Sequence, residues 1–286
     1  MQYSVSVIVP TKNRKSDLEK CLNAVYCQTY LPEEVIVVEG GKKGNKQYFE
    51  SRYKGLKYLE FRNSTGLTQS KNYGIKQSKG DILIFLDDDL FIERDFIFKI
   101  LELFEEKRSE NIGGISGNII NQNTETEKGL YRVLKMVFLM PMFGNGAFRI
   151  SGMPTFVYGD KNVRKVEFIA GGVTAYKRKV FEEFMFDEKL MGYCYGEDAD
   201  FSYRVSRKYV NYYTPFAKAA HKPSSEARGR GIKSLLGNIS AMIYRNKKNL
   251  GIKGMLFSVI VAIGMIIESI YLKMRNYPST PRSFRY

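Results

Sequence analysis

Three consecutive carboxylates, Asp87-Asp88-Asp89, stand directly after Ile82-Leu83-Ile84-Phe85-Leu86, an apolar run that reads as a short buried strand. Side chains alternate along a strand, so Asp87 and Asp89 are expected to project the same way. Two acids held side by side raise each other's pKa unless a cation lies between them. A divalent metal with a phosphate on its far side would relieve that repulsion, because hard cations prefer carboxylate oxygens. An acidic turn capping the next helix would account for a lone triplet equally well. A second acidic pair, Glu197-Asp198, follows Gly196 at the start of a helical pattern. There a carboxylate can cap the helix or take a proton from a substrate, and the helix dipole is expected to lower its pKa. Asp200 and Arg204 are spaced as an i,i+4 ion pair. His221 is the single histidine of the chain, and imidazole is an acceptable ligand for manganese.

The elements that must position these groups alternate. Ser4–Val9 is a β-branched run ended by Pro10, and Leu18, Cys21, Leu22, Val25 and Tyr26 then repeat at helical spacing with Asp17 near the start. Glu34–Val38 reads as a second strand, residues 45–53 as a short helix, Tyr58–Phe61 as a third strand, residues 68–78 as a helix and Asp81–Leu86 as the fourth strand. This is the pattern of βαβ units on a parallel sheet, whose ligands bind at the carboxyl ends of the strands. Pro10-Thr11, Glu39 and the Asp triplet all fall at such ends. Further on, a helix is expected over 95–107 and a glycine-loosened strand over Ile112–Gly117. Residues 121–165 carry little periodicity. Then come a strand at Val166–Ile169, a helix around Lys179–Phe184, another beginning near Glu197, and a strand at Tyr209–Tyr213.

With 286 residues, 44% hydrophobic and 14% aromatic, the chain can bury a substantial core. Its formal charge of +15 suits phosphates, nucleic acid or anionic lipid. Neither a zinc-finger spacing nor an RNA-recognition motif is present, which argues against nucleic acid. Cys21, Cys27 and Cys194 form no CxxC pair and read as packing thiols of a reducing compartment. A strand beginning near Tyr3 leaves no signal peptide in this reading.

Four segments occur in order: Val7-Ile8-Val9-Pro10-Thr11-Lys12-Asn13-Arg14, Gly66 with Ser70-Lys71-Asn72-Tyr73-Gly74, Phe85-Leu86-Asp87-Asp88-Asp89, and Gly196-Glu197-Asp198-Ala199-Asp200-Phe201. Together they resemble a family 2 glycosyltransferase of the GT-A fold, over residues 3–225. The resemblance implies an α/β fold with a Rossmann-like, mostly parallel sheet flanked by helices. It implies an inverting sugar transferase with a nucleotide-sugar donor, a UDP-sugar being expected, and a divalent metal, Mn2+ or Mg2+. Within it Asp89 is the metal ligand, Asp87 or Asp88 assists toward metal or ribose, and His221 stands where many GT-A enzymes place a ligating histidine. Asp198, beside Glu197, takes the place of the general base. Pro10, Thr11, Asn13, Arg14, Glu39, Lys71, Asp87 and Asp88 take donor-nucleotide positions, and Gly171-Gly172 resembles the loop on the acceptor side. Two residues depart from the family pattern. Glu39 replaces the usual Asp after the second strand, and Lys71 replaces an Arg, which loses bidentate contact with a phosphate.

Gly254–Leu272 carries one charge, Glu268, and is apolar on every side of a helix. A full span needs ~20 apolar residues. Basic residues flank the run on both sides (Arg245, Lys247, Lys248, Lys253, then Lys273, Arg275), which suits a helix or hairpin lying in the cytoplasmic leaflet. Leu130–Phe143, broken by Pro141, reads as a second interfacial element. The expected division is therefore a catalytic domain at 1–225 and a membrane-associating helical segment at 226–286, with a glycan, a lipid-linked sugar or a protein as acceptor. A sugar-phosphate nucleotidyltransferase would need a GxGxR-type loop after the first strand, and Pro10–Arg14 is not one. A non-catalytic basic lipid- or nucleic-acid-binding module would not need the carboxylate set.

Overall fold

A computed structural model describes residues 3–41, 44–61, 64, 66–122, 129–191, 196–222 and 232–274. The chain runs β1 (Val5–Thr11), α1 (Lys15–Tyr26), β2 (Glu34–Glu39), α2 (Lys46–Arg52), β3 (Leu56–Glu60), α3 (Leu67–Gln77), β4 (Ile82–Leu86), β5 (Leu90–Ile92), α4 (Phe96–Glu106) and β6 (Ile112–Ile119). It continues through α5 (Gly129–Val137), β7 (Met142–Phe143), β8 (Thr155–Phe156), β9 (Arg164–Val166), β10 (Val173–Lys177), α6 (Val180–Glu183), α7 (Glu197–Ser206), β11 (Val210–His221) and α8 (Ile232–Met274).

Nine strands form one sheet in the order β3-β2-β1-β4-β10-β6-β11-β5, with β9 paired to β11. β1, β2, β3 and β4 are parallel neighbours, as are β6 and β11. Both faces of the sheet centre are covered, which is why β1 and β4 are apolar without alternation and buried along their whole length. On α1 the buried residues Leu18, Cys21, Leu22 and Val25 form the stripe expected from their spacing, although no side chain caps the helix and Asp17 lies within its first turn.

Several strands differ from expectation. β10, which the sequence reading did not place, enters antiparallel between β4 and β6, with Val173 opposite Leu86. β11 extends past Tyr213 to His221, because a register shift between Tyr213 and Lys218 accommodates Pro215 inside the strand. Regular pairing of the expected strand at Val166–Ile169 stops at Val166. Cys194 and Arg275 lie outside the described residues.

Helix α8 is broken at Gly251 (φ 65°, ψ −148°), and its two parts meet different surroundings. Before the break, polar side chains seat the helix on the domain. Lys248 Nζ lies 2.5 Å from Asp200 Oδ1 and 2.6 Å from Asp187 Oδ2, and Asn249 Nδ2 donates to Asp200 Oδ1 at 3.1 Å. Asn246 Nδ2 donates to the Ser151 carbonyl at 2.8 Å. After the break, Val261 and Met265 pack with Met140, Met153 and Met242 in a small cluster separate from the main core, against Phe138 at the end of α5. Glu268, fully buried, accepts a hydrogen bond from the Tyr131 hydroxyl of α5. Leu256, Val259, Ile263, Ile266 and Ile270, spaced along the other side, are exposed, as are Leu130, Val133, Met136 and Val137 of α5. By length and composition Ile232–Tyr271 could cross a membrane, and 28% of its most apolar window is buried.

Candidate active site

The first half of the site gathers around the Asp triplet. β4 ends at Leu86, and the Leu90 N–H closes a turn onto the Asp87 carbonyl at 3.1 Å. The triplet is thus a turn and not a continuation of the strand, and Asp89 and His221 are both electrostatic neighbours of Asp87. Asp88 and Asp89 share one partner: Arg14 Nη1 is 2.5 Å from Asp88 Oδ1 and 3.3 Å from Asp89 Oδ2. Thr11, at the end of β1 after Pro10, donates its hydroxyl to Asp88 Oδ2 at 2.7 Å. Burial pushes the Asp88 carboxyl up to about 6, against the pull of Thr11 and Arg14.

His221 closes this half from the far end of the chain. It pairs with Leu90 at the junction of β11 and β5, which brings its Nε2 to 3.2 Å from Asp89 Oδ1. Asn121 clamps its backbone, donating to the His221 carbonyl at 2.6 Å and accepting from its N–H at 2.9 Å. Among the described residues no group of three or more acids, histidines or cysteines stands assembled around one point. Asp89 and His221 are the converging pair, while Asp87 turns toward Gly172. Neighbouring ligands of an octahedral ion with bonds of ~2.1 Å lie roughly 3 Å apart, so this pair suits one manganese or magnesium ion that keeps water or phosphate elsewhere.

Glu39 ends β2 as a buried brace. Its Oε1 accepts from the N–H groups of Asn13 (3.2 Å) and Gly41 (2.7 Å), and its Oε2 accepts from the Tyr58 hydroxyl at 3.2 Å. Asn13 itself is exposed and holds a left-handed φ of 60°, a conformation its side chain tolerates.

The second half stands on α3 and α7. Lys71, 1% exposed, places Nζ 3.0 Å from Glu197 Oε1 and 5.0 Å from the Phe186 ring centroid. It thus belongs with the Glu-Asp pair and not with Arg14. Burial works against its charge, but Glu197, Asp87 and Asp198 outweigh burial and raise its pKa. Asp198 stays partly open to solvent and accepts from the N–H groups of Gly171 (3.1 Å) and Ala199 (2.8 Å). Enclosure by the protein, then the neighbouring Glu197, push its carboxyl up to about 7, over the opposing effect of Lys71. The lowering expected from the helix dipole is overturned, because desolvation and a like charge exceed it.

Gly171-Gly172 joins the two halves. Since β10 is antiparallel to β4, its leading residues lie beside the carboxyl end of β4, and the Asp87 N–H donates to the Gly172 carbonyl at 3.3 Å. A Cβ on Gly172 would stand 2.6 Å from Asp87 Oδ2, and one on Gly171 would stand 3.1 Å from Lys71 Nζ and 3.2 Å from Asp198 Cβ. Only glycine leaves this wall open. Asp87, Gly171, Gly172 and Asp198 all keep some exposure, so they line the accessible cleft between the buried halves.

Sequence reasoning missed Asn121 and Tyr158, and it read Arg245 as a basic flank of the apolar run, whereas the side chain is buried against the domain. Arg245 packs its guanidinium on Gly196, whose φ of 98° starts α7, and Nη2 reaches the Gly152 carbonyl at 3.3 Å. The partners of Asn121 and Arg245 lie about 100 residues away in the chain, which no local pattern reveals.

The sheet order, the carboxylates at its carboxyl edge and the antiparallel insertion define the GT-A class of α/β folds. The mannosyltransferase PcManGT from Pyrobaculum calidifontis, solved with GDP-Man and Mn2+, superposes with a TM-score of 0.61 at 15% identity, covering 98% of this chain and 78% of that one. The family model described as glycosyl transferase family 2 matches residues 6–185, and the chain belongs to that family. It is similar to glycosyltransferase AglE of Haloferax volcanii, 35% identical over 127 residues, which are 42% of this chain and 39% of that protein. It also resembles a Campylobacter jejuni GalNAc(5)-diNAcBac-PP-undecaprenol beta-1,3-glucosyltransferase, 29% identical over 160 residues, 51% of this chain and 50% of that protein. The chain spans half or less of the length of these curated relatives.

Proposed function

We propose that the chain transfers a sugar from a nucleotide-sugar donor, a UDP-sugar first among them, to an acceptor hydroxyl with inversion and with a divalent metal. The observation that carries this reading is the pair of carboxylate groups on either side of Gly171-Gly172, one bonded to Arg14 with His221 beside it, the other holding Asp198 with a pKa about 7. Asp89 and His221 would hold the metal, which when bound neutralises charge developing on the leaving diphosphate. Asp87 and Asp88 line the donor side, with Arg14 and Thr11 fixing Asp88. Pro10, Asn13 and Glu39 shape the nucleotide end, and Lys71 supports it through Glu197. On the acceptor side, past Gly171-Gly172, Asp198 accepts the proton of the attacking hydroxyl. That oxygen forms its bond to the anomeric carbon as the bond to the diphosphate breaks, and the electron pair leaves on the diphosphate. One displacement gives inversion. A pKa about 7 is suited to a base working near neutrality.

The exposed apolar stripe of α5 and the far part of α8 supports a monotopic or peripheral seat on the cytoplasmic face of a membrane. The apolar segment belongs to 226–286 and the transfer machinery to 1–225, with residues 244–249 bonded back onto the latter. A lipid-linked sugar, a glycan or a protein would be the acceptor. Donor hydrolysis and transfer should be screened over UDP-GlcNAc, UDP-GalNAc, UDP-glucose and GDP-mannose, each with manganese and with chelator. Turnover that chelator abolishes is expected; metal-independent turnover, or none with any donor, would defeat the reading.

A further inference from the structure

Lys71 brings a cation beside the proposed base without opening it to the cleft. The residue is 1% exposed, and its ammonium donates to Glu197 Oε1 at 3.0 Å. Its other neighbour, the Phe186 ring, is held by the next residue of α3. Asn72 Nδ2 donates to the Phe186 carbonyl at 2.9 Å, and the Phe186 N–H donates to Asn72 Oδ1 at 3.0 Å. A diphosphate does not reach an ammonium so enclosed, so its charge acts on the cleft through the groups packed around it.

Those groups meet at Gly171. The place a Cβ would take on that glycine is 3.1 Å from Lys71 Nζ and 3.2 Å from both Glu197 Oε1 and Asp198 Cβ. One ammonium and two acidic side chains therefore crowd a single glycine. Asp198 takes its hydrogen bonds from the N–H groups of Gly171 and Ala199, so Lys71 and Glu197 act on it through space, with opposite signs. Among the described residues, the other ionisable neighbours of this carboxylate are the phenols of Tyr158 and of Tyr176 on β10, which burial keeps protonated. Asp87 is an electrostatic neighbour of Lys71 and Glu197, and Arg245 of α8 packs on Gly196.

We propose that Lys71 is a positioning residue for transfer: paired with Glu197, it fixes the charges around Asp198 and so sets how readily that carboxylate takes the acceptor's proton. This rests on the sugar-transfer reading above. The test follows the acid limb of transfer against pH in the full-length chain, with the donor that wild type turns over best. Glu197→Gln removes the like charge and keeps an acceptor for Lys71, so the limb should move about one pH unit down from about 7. Lys71→Met removes the opposite charge, so the limb should move about one unit up. In the double variant it should return to between the two. A merely structural pair would lower the rate in both variants and leave the limb in place, which would overturn the inference. So would shifts of the same sign, or a loss of UDP affinity of about tenfold or more in Lys71→Met with the limb unmoved, which would put Lys71 at the phosphates. Should Lys71→Met not fold, Glu197→Gln decides alone, and an unmoved limb there overturns the inference. An inactive wild type defeats the transfer reading and this inference with it, whereas an active wild type with indifferent variants defeats this inference alone.

Discussion

The two acidic halves of the cleft are made of the same side chains and solve the same electrostatic problem differently. Asp88 and Asp89 are buried and meet their partners directly, the Arg14 guanidinium beside both and the His221 imidazole beside Asp89. In the other half Lys71 bonds Glu197, and Asp198 accepts from backbone N–H donors and keeps an opening to solvent. In the first, burial lifts the Asp88 carboxyl to about 6 although Arg14 is bonded to it; in the second, burial and Glu197 lift Asp198 to about 7 with backbone N–H groups as its bonded partners. Neighbours, more than residue type, assign the two roles.

The strongest way to break this contrast is Asp198→Asn. Transfer should fall by about 10²–10⁴ while nucleotide affinity stays, because only the proton-accepting half is touched. The stability sign is also fixed. A carboxyl whose folded pKa is raised above its unfolded value destabilises the protein once ionised, so at pH 8 the asparagine variant should melt higher than wild type and at pH 4 the difference should vanish. A variant that transfers normally, or that melts lower at pH 8, would return Asp198 to a capping role.

Asp89→Ala, in the half that Arg14 and His221 line, should remove the manganese-dependent part of UDP affinity, and His221→Ala should weaken that part by about 10–100-fold. Calorimetric titration with manganese and with chelator measures both, and affinity indifferent to metal in wild type would undo the assignment. Smaller still is the pH effect. Transfer at limiting donor should rise about tenfold per unit below pH 7 and level above it, as Asp198 loses its proton. In Asp198→Asn that limb should disappear, and a limb that persists belongs to another group. The least effect on either half is expected from truncation after Leu250. Donor binding should be retained while binding to anionic liposomes is lost, and loss of donor binding would make the removed segment core.

Much of this was legible beforehand because the groups sit at strand ends. Val5–Thr11 and Ile82–Leu86 are apolar throughout, and such runs fix both a parallel sheet and the edge where its ligands bind. What stayed hidden depends on sequence-distant pairing. Val173–Lys177 has no period that distinguishes a central antiparallel strand from a turn, yet it delivers Gly171-Gly172 to Asp87. Lys71 was expected at a phosphate, and only the packing of α3 against α7 shows it beside Glu197. The Asp198 pKa was misread in direction, since a helix dipole is visible in sequence and desolvation is not.

The polar seat of α8 on α7 also bears on when the protein becomes complete during synthesis. Asp200 is fully buried in the helix that carries the proposed base, yet Asn249 reaches it from 49 residues later in the chain. Lys248 reaches Asp187 from 61 residues later. Domains fold progressively as they leave the ribosome, from the N-terminus onward. The sheet can therefore assemble first, while α7 awaits partners that emerge immediately ahead of the apolar run beginning at Gly254. The polar seat of α7 and the segment proposed for the membrane thus arrive together, and a nascent chain released before Tyr244 would have neither.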